Sequence, residues 1–117
     1  YNLLNHDLIF EGEYSNKKKN GKGKEYSDTG KIYFIGEYVN GKRNGYGTEY
    51  YVYPKNKKYE GEYKDGKRSG KGKEYEISLM STYLAFDGEY LNDKRWNGIY
   101  IVQNNFGKKF FLFRFKK

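Results

Sequence analysis

A short motif, aromatic-x-Gly-Glu-Tyr, occurs four times along the chain, at separations of 24, 25 and 27 residues. In the first three copies a basic pair, a Gly-x-Gly triplet and a closing Glu-Tyr follow, and 16 positions always separate the first aromatic residue from the last tyrosine. The segments between these blocks are 7, 8 and 10 residues long. Constant blocks with variable connectors are typical of a repeat protein whose units are linked by surface loops. The four motifs are residues 10–14, 34–38, 59–63 and 86–90.

Each block has the pattern of a β-hairpin. In residues 59–63 two tyrosines and a glycine alternate with two glutamates, which is the period-two pattern of a strand with one covered face. Asn40-Gly41 and Asp65-Gly66 follow the motif at once, and such pairs favour a type I′ turn because both central residues need a positive φ. Asn16-Lys17 and Asn92-Asp93 hold the same place as weaker turn formers. The sequence therefore predicts an all-β chain of successive hairpins with little or no helix.

A two-residue turn also predicts the register within a hairpin. In the second block it pairs Val39 with Lys42 and places Gly36 opposite Gly45, unless a β-bulge shifts the pairing. Glycine weakens a strand, yet one stands in the middle of every motif. Bare backbone gives the ring of a neighbouring hairpin a place to lie, so we expect rings and glycines to stack along the array. The alternative is that these glycines serve only as turn residues. They are Gly12, Gly36, Gly61 and Gly88.

The length of 117 residues fits one domain. The fourth copy departs from the pattern after Arg95: one added residue puts Gly98 at the first glycine of the triplet, and Tyr100 replaces the second. Because the terminal units of a repeat array each have one uncovered end, we expect a cap at both ends. The predicted organisation is an N-terminal cap at 1–9, repeats at 10–33, 34–58, 59–85 and 86–102, and a capping strand with a basic tail at 103–117.

The residue types that catalysis needs are scarce. The chain has no cysteine and one histidine, His6, which lies outside the repeats, so a cysteine nucleophile, a thiolate metal site and a histidine-based triad are excluded within it. No Gly-x-x-x-x-Gly-Lys-Ser/Thr phosphate loop occurs. The motif glutamates recur in every copy and are interpreted as one side of a charge ladder facing Lys or Arg of an adjacent strand, rather than as acid–base pairs. The sequence predicts a protein without enzymatic activity, cofactor or metal. These glutamates are Glu13, Glu37, Glu62 and Glu89.

The net charge of +8 is unevenly spread. Residues 59–85, which hold the best-formed copy, are neutral overall, whereas residues 86–117 carry +4. Attraction to an anionic surface such as an acidic membrane is one interpretation of the excess, and a merely well-solvated surface is the other. The candidate contacts lie in the first turn, the connectors and the tail: Lys17, Lys18, Lys19, Lys55, Lys57, Lys58, Lys108, Lys109, Arg114, Lys116 and Lys117.

The unit at 59–75 closely resembles the MORN (membrane occupation and recognition nexus) repeat. Residues 34–50 match nearly as well, residues 10–26 have Lys17 where the turn glycine should be, and residues 86–102 match only in their first half. The resemblance implies an elongated, twisted antiparallel sheet of successive hairpins, with rings stacked along a groove. It also implies a scaffolding or targeting module, and binding to acidic phospholipid is associated with the family.

We therefore predict a non-enzymatic module that binds a protein partner, either an extended peptide or a helix, through an aromatic groove formed by Tyr14, Tyr38, Tyr63 and Tyr90. One alternative is peripheral binding to acidic phospholipid membranes. The second is a non-catalytic module or subunit of a larger enzyme or assembly, and homodimerisation also stays open.

Nucleic acid is disfavoured as a partner. Tyrosine and phenylalanine interleaved with lysine are typical of single-strand binding. The motif rings, however, are needed for packing hairpin on hairpin. The absence of cysteine is typical of a reducing compartment and predicts a cytoplasmic location, with peripheral attachment to a membrane or cytoskeletal structure as the alternative.

Overall fold

In the computed structural model, the described part of the chain comprises residues 9–52, 55–78, 81–103 and 109–114. It forms one antiparallel sheet in which each strand pairs with the next along the sequence. The all-β prediction is confirmed. The nine strands of the described residues are β1 (Phe10–Ser15), β2 (Lys18–Tyr26), β3 (Ile32–Val39), β4 (Lys42–Tyr51), β5 (Asn56–Lys64), β6 (Lys67–Ser78), β7 (Ser81–Leu91), β8 (Lys94–Gln103) and β9 (Lys109–Arg114).

The sheet is a slab of 48 × 34 × 17 Å. Nine strands at a spacing of about 4.8 Å span about 38 Å of the long dimension. Strands extend into the predicted connectors, because β6 ends at Ser78 and β7 begins at Ser81 within what was expected to be a surface loop. The predicted cap at 1–9 lies outside the described residues, except for Ile9.

The four hairpin turns have the predicted geometry. Both central residues adopt positive φ in each turn, including 51° at Asn40 and 84° at Gly41. The weaker turn formers do the same, since φ is 52° at Asn16 and 65° at Lys17. Each later turn also bonds to the hairpin before it; for example, the Gly66 N–H donates to the Arg43 carbonyl at 2.8 Å. The turns therefore line one edge of the sheet, which we call the turn edge.

The register within a hairpin differs from the prediction. Val39 pairs with Lys42 as expected, but Gly36 lies opposite Gly47 rather than Gly45. A bulge explains the difference, because residues 44–46 of β4 all face the single residue Glu37 of β3. Gly45 takes a φ of 109° in this bulge, a conformation in which a side chain would be strained.

The fourth hairpin has one residue fewer in its bulge. Here only Trp96 is extra, so Gly98 pairs with Gly88 and takes the place of the second glycine of the triplet. The prediction that Gly98 replaces the first glycine is therefore wrong. Tyr100 pairs with Phe86 and stands where the other hairpins have a glutamate.

The correct register aligns the glycines in one row across the sheet. They face one another directly from β1 to β8, in the order Gly12, Gly23, Gly36, Gly47, Gly61, Gly72, Gly88 and Gly98. Rings lie over this row: a Cβ added at Gly47 would meet the Phe34 ring at 2.5 Å and the Tyr63 ring at 3.1 Å. The predicted stacking of rings on glycines is confirmed: Phe34 covers glycines of its own hairpin, whereas Tyr38 and Tyr63 each reach a glycine of the preceding hairpin.

The core is a continuous ladder of aromatic rings on one face of the sheet, which we call the ladder face. Successive rings meet edge to face, with centroids 5.1 to 5.8 Å apart. Phe34, Tyr59 and Phe86 are 0 % exposed. Such pairs contribute about 0.5–1.5 kcal/mol beyond the area they bury. The order of the rings is Tyr14, Phe10, Tyr38, Phe34, Tyr63, Tyr59, Tyr90, Phe86 and Tyr100.

Candidate interaction surface

The four tyrosines predicted to form a groove lie on the ladder face, but they differ sharply in burial. Tyr38, Tyr63 and Tyr90 are 3 to 5 % exposed, whereas Tyr14 is 59 % exposed. The rings of the buried three are clamped between rings of their own and the preceding hairpin, so a partner cannot lie on them without opening the core. A contact role for these tyrosines stays a prediction. Because their rings are buried, a partner would reach them only at the polar rim of the core, where their hydroxyl groups lie.

That rim is a row of alternating charges, which we call the Arg–Glu ladder. Each arginine bonds the glutamate of the preceding hairpin: Arg68 donates to Glu49 from Nε at 3.1 Å and from Nη2 at 3.0 Å. It also lies 3.5 Å from Glu74, the glutamate of its own hairpin. The same pairs repeat at Arg43, and Arg95 bonds Glu74, so the charges form one chain across four hairpins. The ladder consists of Glu25, Arg43, Glu49, Arg68, Glu74 and Arg95.

The arginines also cover the rings. The guanidinium carbon of Arg43 lies 3.8 Å from the centre of the Phe34 ring, and that of Arg68 lies 4.3 Å from the centre of Tyr59. Lys19 stands in the same place in the first hairpin, 4.4 Å above Phe10. Cation–π contacts of this kind are worth about 0.5–2 kcal/mol, depending on desolvation. Because the side chains of the Arg–Glu ladder are still 14 to 23 % exposed, they seal the core and remain open to solvent.

The tyrosine hydroxyls complete the ladder. Tyr63 donates to Glu49, and Tyr90 donates to Glu74 at 2.7 Å. Burial alone would raise the pKa of Glu49, but hydrogen bonds from Arg68 and Tyr63 and the charge of Arg68 outweigh it, so this pKa lies below its usual value. Burial and the Glu49 carboxylate together raise the pKa of Tyr63. The row is therefore ionised carboxylate, cation and neutral phenol at neutral pH.

Further tyrosines border the Arg–Glu ladder on the side away from the turns. Tyr33 is 36 % exposed, and burial together with the Glu25 charge raises its pKa. The Tyr51 hydroxyl donates to the Tyr75 carbonyl at 2.8 Å, and Tyr83 donates to Glu76 at 3.2 Å. We call Tyr33, Tyr51 and Tyr83 the border tyrosines.

The opposite face carries the remaining motif charges. Glu37 lies opposite Lys22, as the predicted charge ladder requires, but its hydrogen bond goes to the backbone N–H of Tyr46 at 2.9 Å. Glu13 and Glu62 bond the same backbone position in their own hairpins, at 3.0 and 3.1 Å. The recurrent glutamate therefore stabilises the bulge. The interpretation as a simple charge ladder was incomplete.

Those of the predicted anionic-surface contacts that the structure describes do not come together. Lys17 and Lys18 lie on the turn edge, whereas Lys55 precedes β5 on the far edge of the sheet. Lys19 covers Phe10, and Lys57 pairs with Glu60 at 3.0 Å. Lys58 lies beside the Tyr51 ring, and Lys109 and Arg114 are the ends of β9. Lys108, Lys116 and Lys117 lie outside the described residues.

The Arg–Glu ladder was not identified from the sequence. The signal was present, because the second residue of each basic pair and the glutamate after each Gly-x-Gly recur. What the pattern did not show was that the arginine of one hairpin bonds the glutamate of the hairpin before it.

The described residues contain no cluster of three or more His, Cys, Asp or Glu that could hold a metal ion. In the same part of the chain, no helix has the length and apolar character needed to span a membrane.

Comparison with known proteins gives one family. The model of the MORN repeat matches residues 10–32, 34–52 and 59–75, just over half of the chain. A search of curated proteins gave no match. MORN repeats occur in protein-binding and membrane-binding modules, and the repeat is generally non-catalytic. The matched segments are the first three hairpins, which carry most of the glycine row, of the row of aromatic rings and of the Arg–Glu ladder. The chain belongs to the MORN repeat family.

Proposed function

We propose that the chain is a non-catalytic interaction module that binds a protein partner across the ladder face. The observation that supports this is the Arg–Glu ladder itself, a row of paired charges that packs on the core and is still partly open to solvent. Arginine and tyrosine are, with tryptophan, the residues enriched at the energetic centres of protein interfaces. Their rigid placement lowers the entropy cost of binding.

The spacing of the ladder indicates the shape of the partner. Equivalent residues of successive hairpins are two strands apart, about 9.6 Å. An α-helix repeats its surface every seven residues, or about 10.5 Å, and an extended polyproline II segment repeats every third residue, or about 9.3 Å. A helix or an extended peptide with both charge signs at this period would match the row. The border tyrosines would then contact the apolar parts of such a segment.

The proposal can be tested with two matched tyrosine variants of the second hairpin. Tyr33 borders the Arg–Glu ladder, whereas Tyr46 is 53 % exposed on the opposite face. After the partner has been captured by the immobilised chain and identified by mass spectrometry, its affinity for Tyr33→Ala and Tyr46→Ala is measured by calorimetry. We expect Tyr33→Ala to weaken binding about tenfold or more and Tyr46→Ala to leave it unchanged. The reverse result would move the interface to the opposite face and end the proposal.

A second candidate is peripheral attachment to an acidic membrane along the turn edge. The first lysine of each basic pair is exposed at the same place in every hairpin, so the lysines form a row with a spacing of about 10 Å. Each basic residue near an anionic membrane contributes about 1 kcal/mol. The row is Lys18, Lys42, Lys67 and Lys94.

Because the two edges of the sheet cannot both lie on a flat bilayer, vesicle sedimentation with two sets of variants distinguishes them. Lys42→Gln with Lys67→Gln should release the chain from phosphatidylserine vesicles. Lys55→Gln with Lys58→Gln on the far edge should not. Equal loss from both sets, or binding that ignores lipid charge, would refute attachment by the turn edge.

A further inference from the structure

The described part of β1 pairs on one side only, with β2. Its outer edge carries Glu11, Glu13 and Tyr14, all of them exposed. Tyr14 shows what this edge lacks, because its ring is 59 % exposed while the equivalent rings in later hairpins are 3 to 5 % exposed. The later rings are buried by the second strand and the first aromatic ring of the hairpin before them.

The junction between β6 and β7 shows what such an edge accepts. Residues 70–74 of β6 read Gly-Lys-Gly-Lys-Glu, and they pair with the motif of β7. Lys73 lies opposite Asp87, Lys71 lies opposite Glu89, and glycine faces glycine between them. On the ladder face, Glu74 accepts the hydroxyl of Tyr90.

The β1 edge repeats the β7 side of that junction. Glu11 stands in the place of Asp87, Gly12 in that of Gly88, Glu13 in that of Glu89, and Tyr14 in that of Tyr90. A strand that matches this edge therefore has two lysines on the face of the carboxylates Glu11 and Glu13, and a carboxylate on the face of the Tyr14 phenol.

We propose that β1 is a docking edge for a strand of the sequence Gly-Lys-Gly-Lys-Glu supplied by another MORN hairpin. The incoming strand runs antiparallel to β1 and extends the sheet by backbone hydrogen bonds, as in strand addition at other open sheet edges. Its lysines face Glu13 and Glu11, its central glycine extends the glycine row beyond Gly12, and its glutamate accepts the hydroxyl of Tyr14. This surface is separate from the ladder face proposed above.

The experiment titrates the ¹⁵N-labelled full chain with a synthetic peptide that copies residues 69–76 and follows the amide resonances by NMR. We expect shifts confined to β1 and to the neighbouring residues of β2. A peptide with the two lysines replaced by glutamate is the control and should cause none. No shifts with the copied peptide, including the case in which the edge is already covered, or shifts centred on the ladder face, would overturn the proposal.

A charge swap tests the register. Glu11→Lys should weaken binding of the copied peptide about fivefold, because a facing pair of opposite charge becomes a pair of like charge. A peptide with glutamate in place of the lysine equivalent to Lys73 should restore it. Failure of this rescue, in a variant whose thermal unfolding matches that of the parent chain, would show that the strand does not bind in the proposed register.

Discussion

Replacing Tyr63 by phenylalanine isolates one hydrogen bond of the Arg–Glu ladder. The ring of Tyr63 is 5 % exposed and lies 5.3 Å from the Phe34 ring and 5.4 Å from the Tyr59 ring, between centroids. Phenylalanine keeps both ring contacts. The change removes only the hydroxyl, which donates to the carboxylate of Glu49.

The expected loss of stability depends on the hydrogen bonds that Glu49 keeps in this variant. Hydrogen bonds to charged groups are worth about 1.5–3 kcal/mol, and the lower figure applies because Arg68 still donates twice to this carboxylate. We therefore expect the free energy of unfolding to fall by about 1.5 kcal/mol. For a chain of 117 residues, this loss lowers the melting temperature by about 6 °C.

Thermal unfolding followed by circular dichroism measures the shift, and Tyr14→Phe is the matched control. Tyr14 holds the same motif position in the first hairpin, but its ring is 59 % exposed. Within the described residues, its hydroxyl makes no hydrogen bond. We expect this control to change the melting temperature by less than about 2 °C, as surface substitutions generally do. Equal shifts in the two variants, or no shift in Tyr63→Phe, would refute the idea that the hydroxyl–carboxylate bond stabilises the array.

Three further predictions concern the glycine row, the bulge and the response to pH. Gly47→Ala should cost about 1–3 kcal/mol in urea unfolding, because the new methyl group would press on the Phe34 ring, whereas Gly30→Ala, which has open space around it, should cost about 1 kcal/mol for its positive φ alone. Glu37→Ala should cost about 1 kcal/mol by the same measurement, and Glu37→Gln, which keeps an acceptor for the Tyr46 N–H, should cost clearly less. Because the pKa values of Glu25, Glu49 and Glu74 are lowered, these carboxylates stabilise the fold fully above about pH 4.5, and their contribution is lost as the pH falls further. Because the pKa values of Tyr63 and Tyr90 are raised, these phenols stabilise the fold fully below about pH 10, and their contribution is lost above it. The free energy of unfolding, measured from about pH 2 to 12, should therefore show a plateau between these limits.

The strands and turns could be predicted from the sequence because they depend on local chemistry. Alternation in residues 59–63 indicates a strand, and Asn40-Gly41 indicates a turn with two positive φ values, whatever the rest of the chain does. The repeat supplied the order of the strands, since short connections join neighbours. The predicted pairing of Val39 with Lys42 is confirmed, because it depends only on the two-residue turn between them.

The bulge could not be predicted because all of the first three copies contain it. The two extra residues around Gly45 have equivalents around Gly21 and Gly70, so comparison of the copies shows no insertion. Without the bulge Phe34 would face Gly47, and with it Phe34 faces Glu49. This shift places Glu49 beside the rings. The predicted register puts Gly47 there instead, so it does not produce the Arg–Glu ladder.

The burial of Tyr38, Tyr63 and Tyr90 depends on contacts between hairpins. Their alternation with charged residues correctly placed them on one face, but the same pattern fits a wall of an open groove and a packed core equally well. The edge-to-face contact of Tyr38 with Phe10 joins two hairpins and shows that this tyrosine belongs to a packed core. Tyr14 has the same sequence context and a different environment, because no described ring lies on its outer side.

The described strands form a single sheet with no second layer of described backbone over its core, and long side chains take that role. Arg43 and Arg68 lie over the rings, and their stems and guanidinium groups shield the apolar surface from water. In the proposed interaction, the residues that cover the core are the same residues that face a partner, so they cannot be changed to suit a new partner without loss of stability. Specificity must then depend on positions that differ between hairpins and that the core does not use. The residue before the first motif aromatic is one such position in the first three hairpins, where it is the exposed Ile9, Tyr33 or Lys58, whereas the fourth hairpin has the buried Ala85 there. Exchanging Tyr33 for the lysine of the third hairpin should therefore alter which partner is bound while leaving the unfolding free energy within about 0.5 kcal/mol of the parent chain.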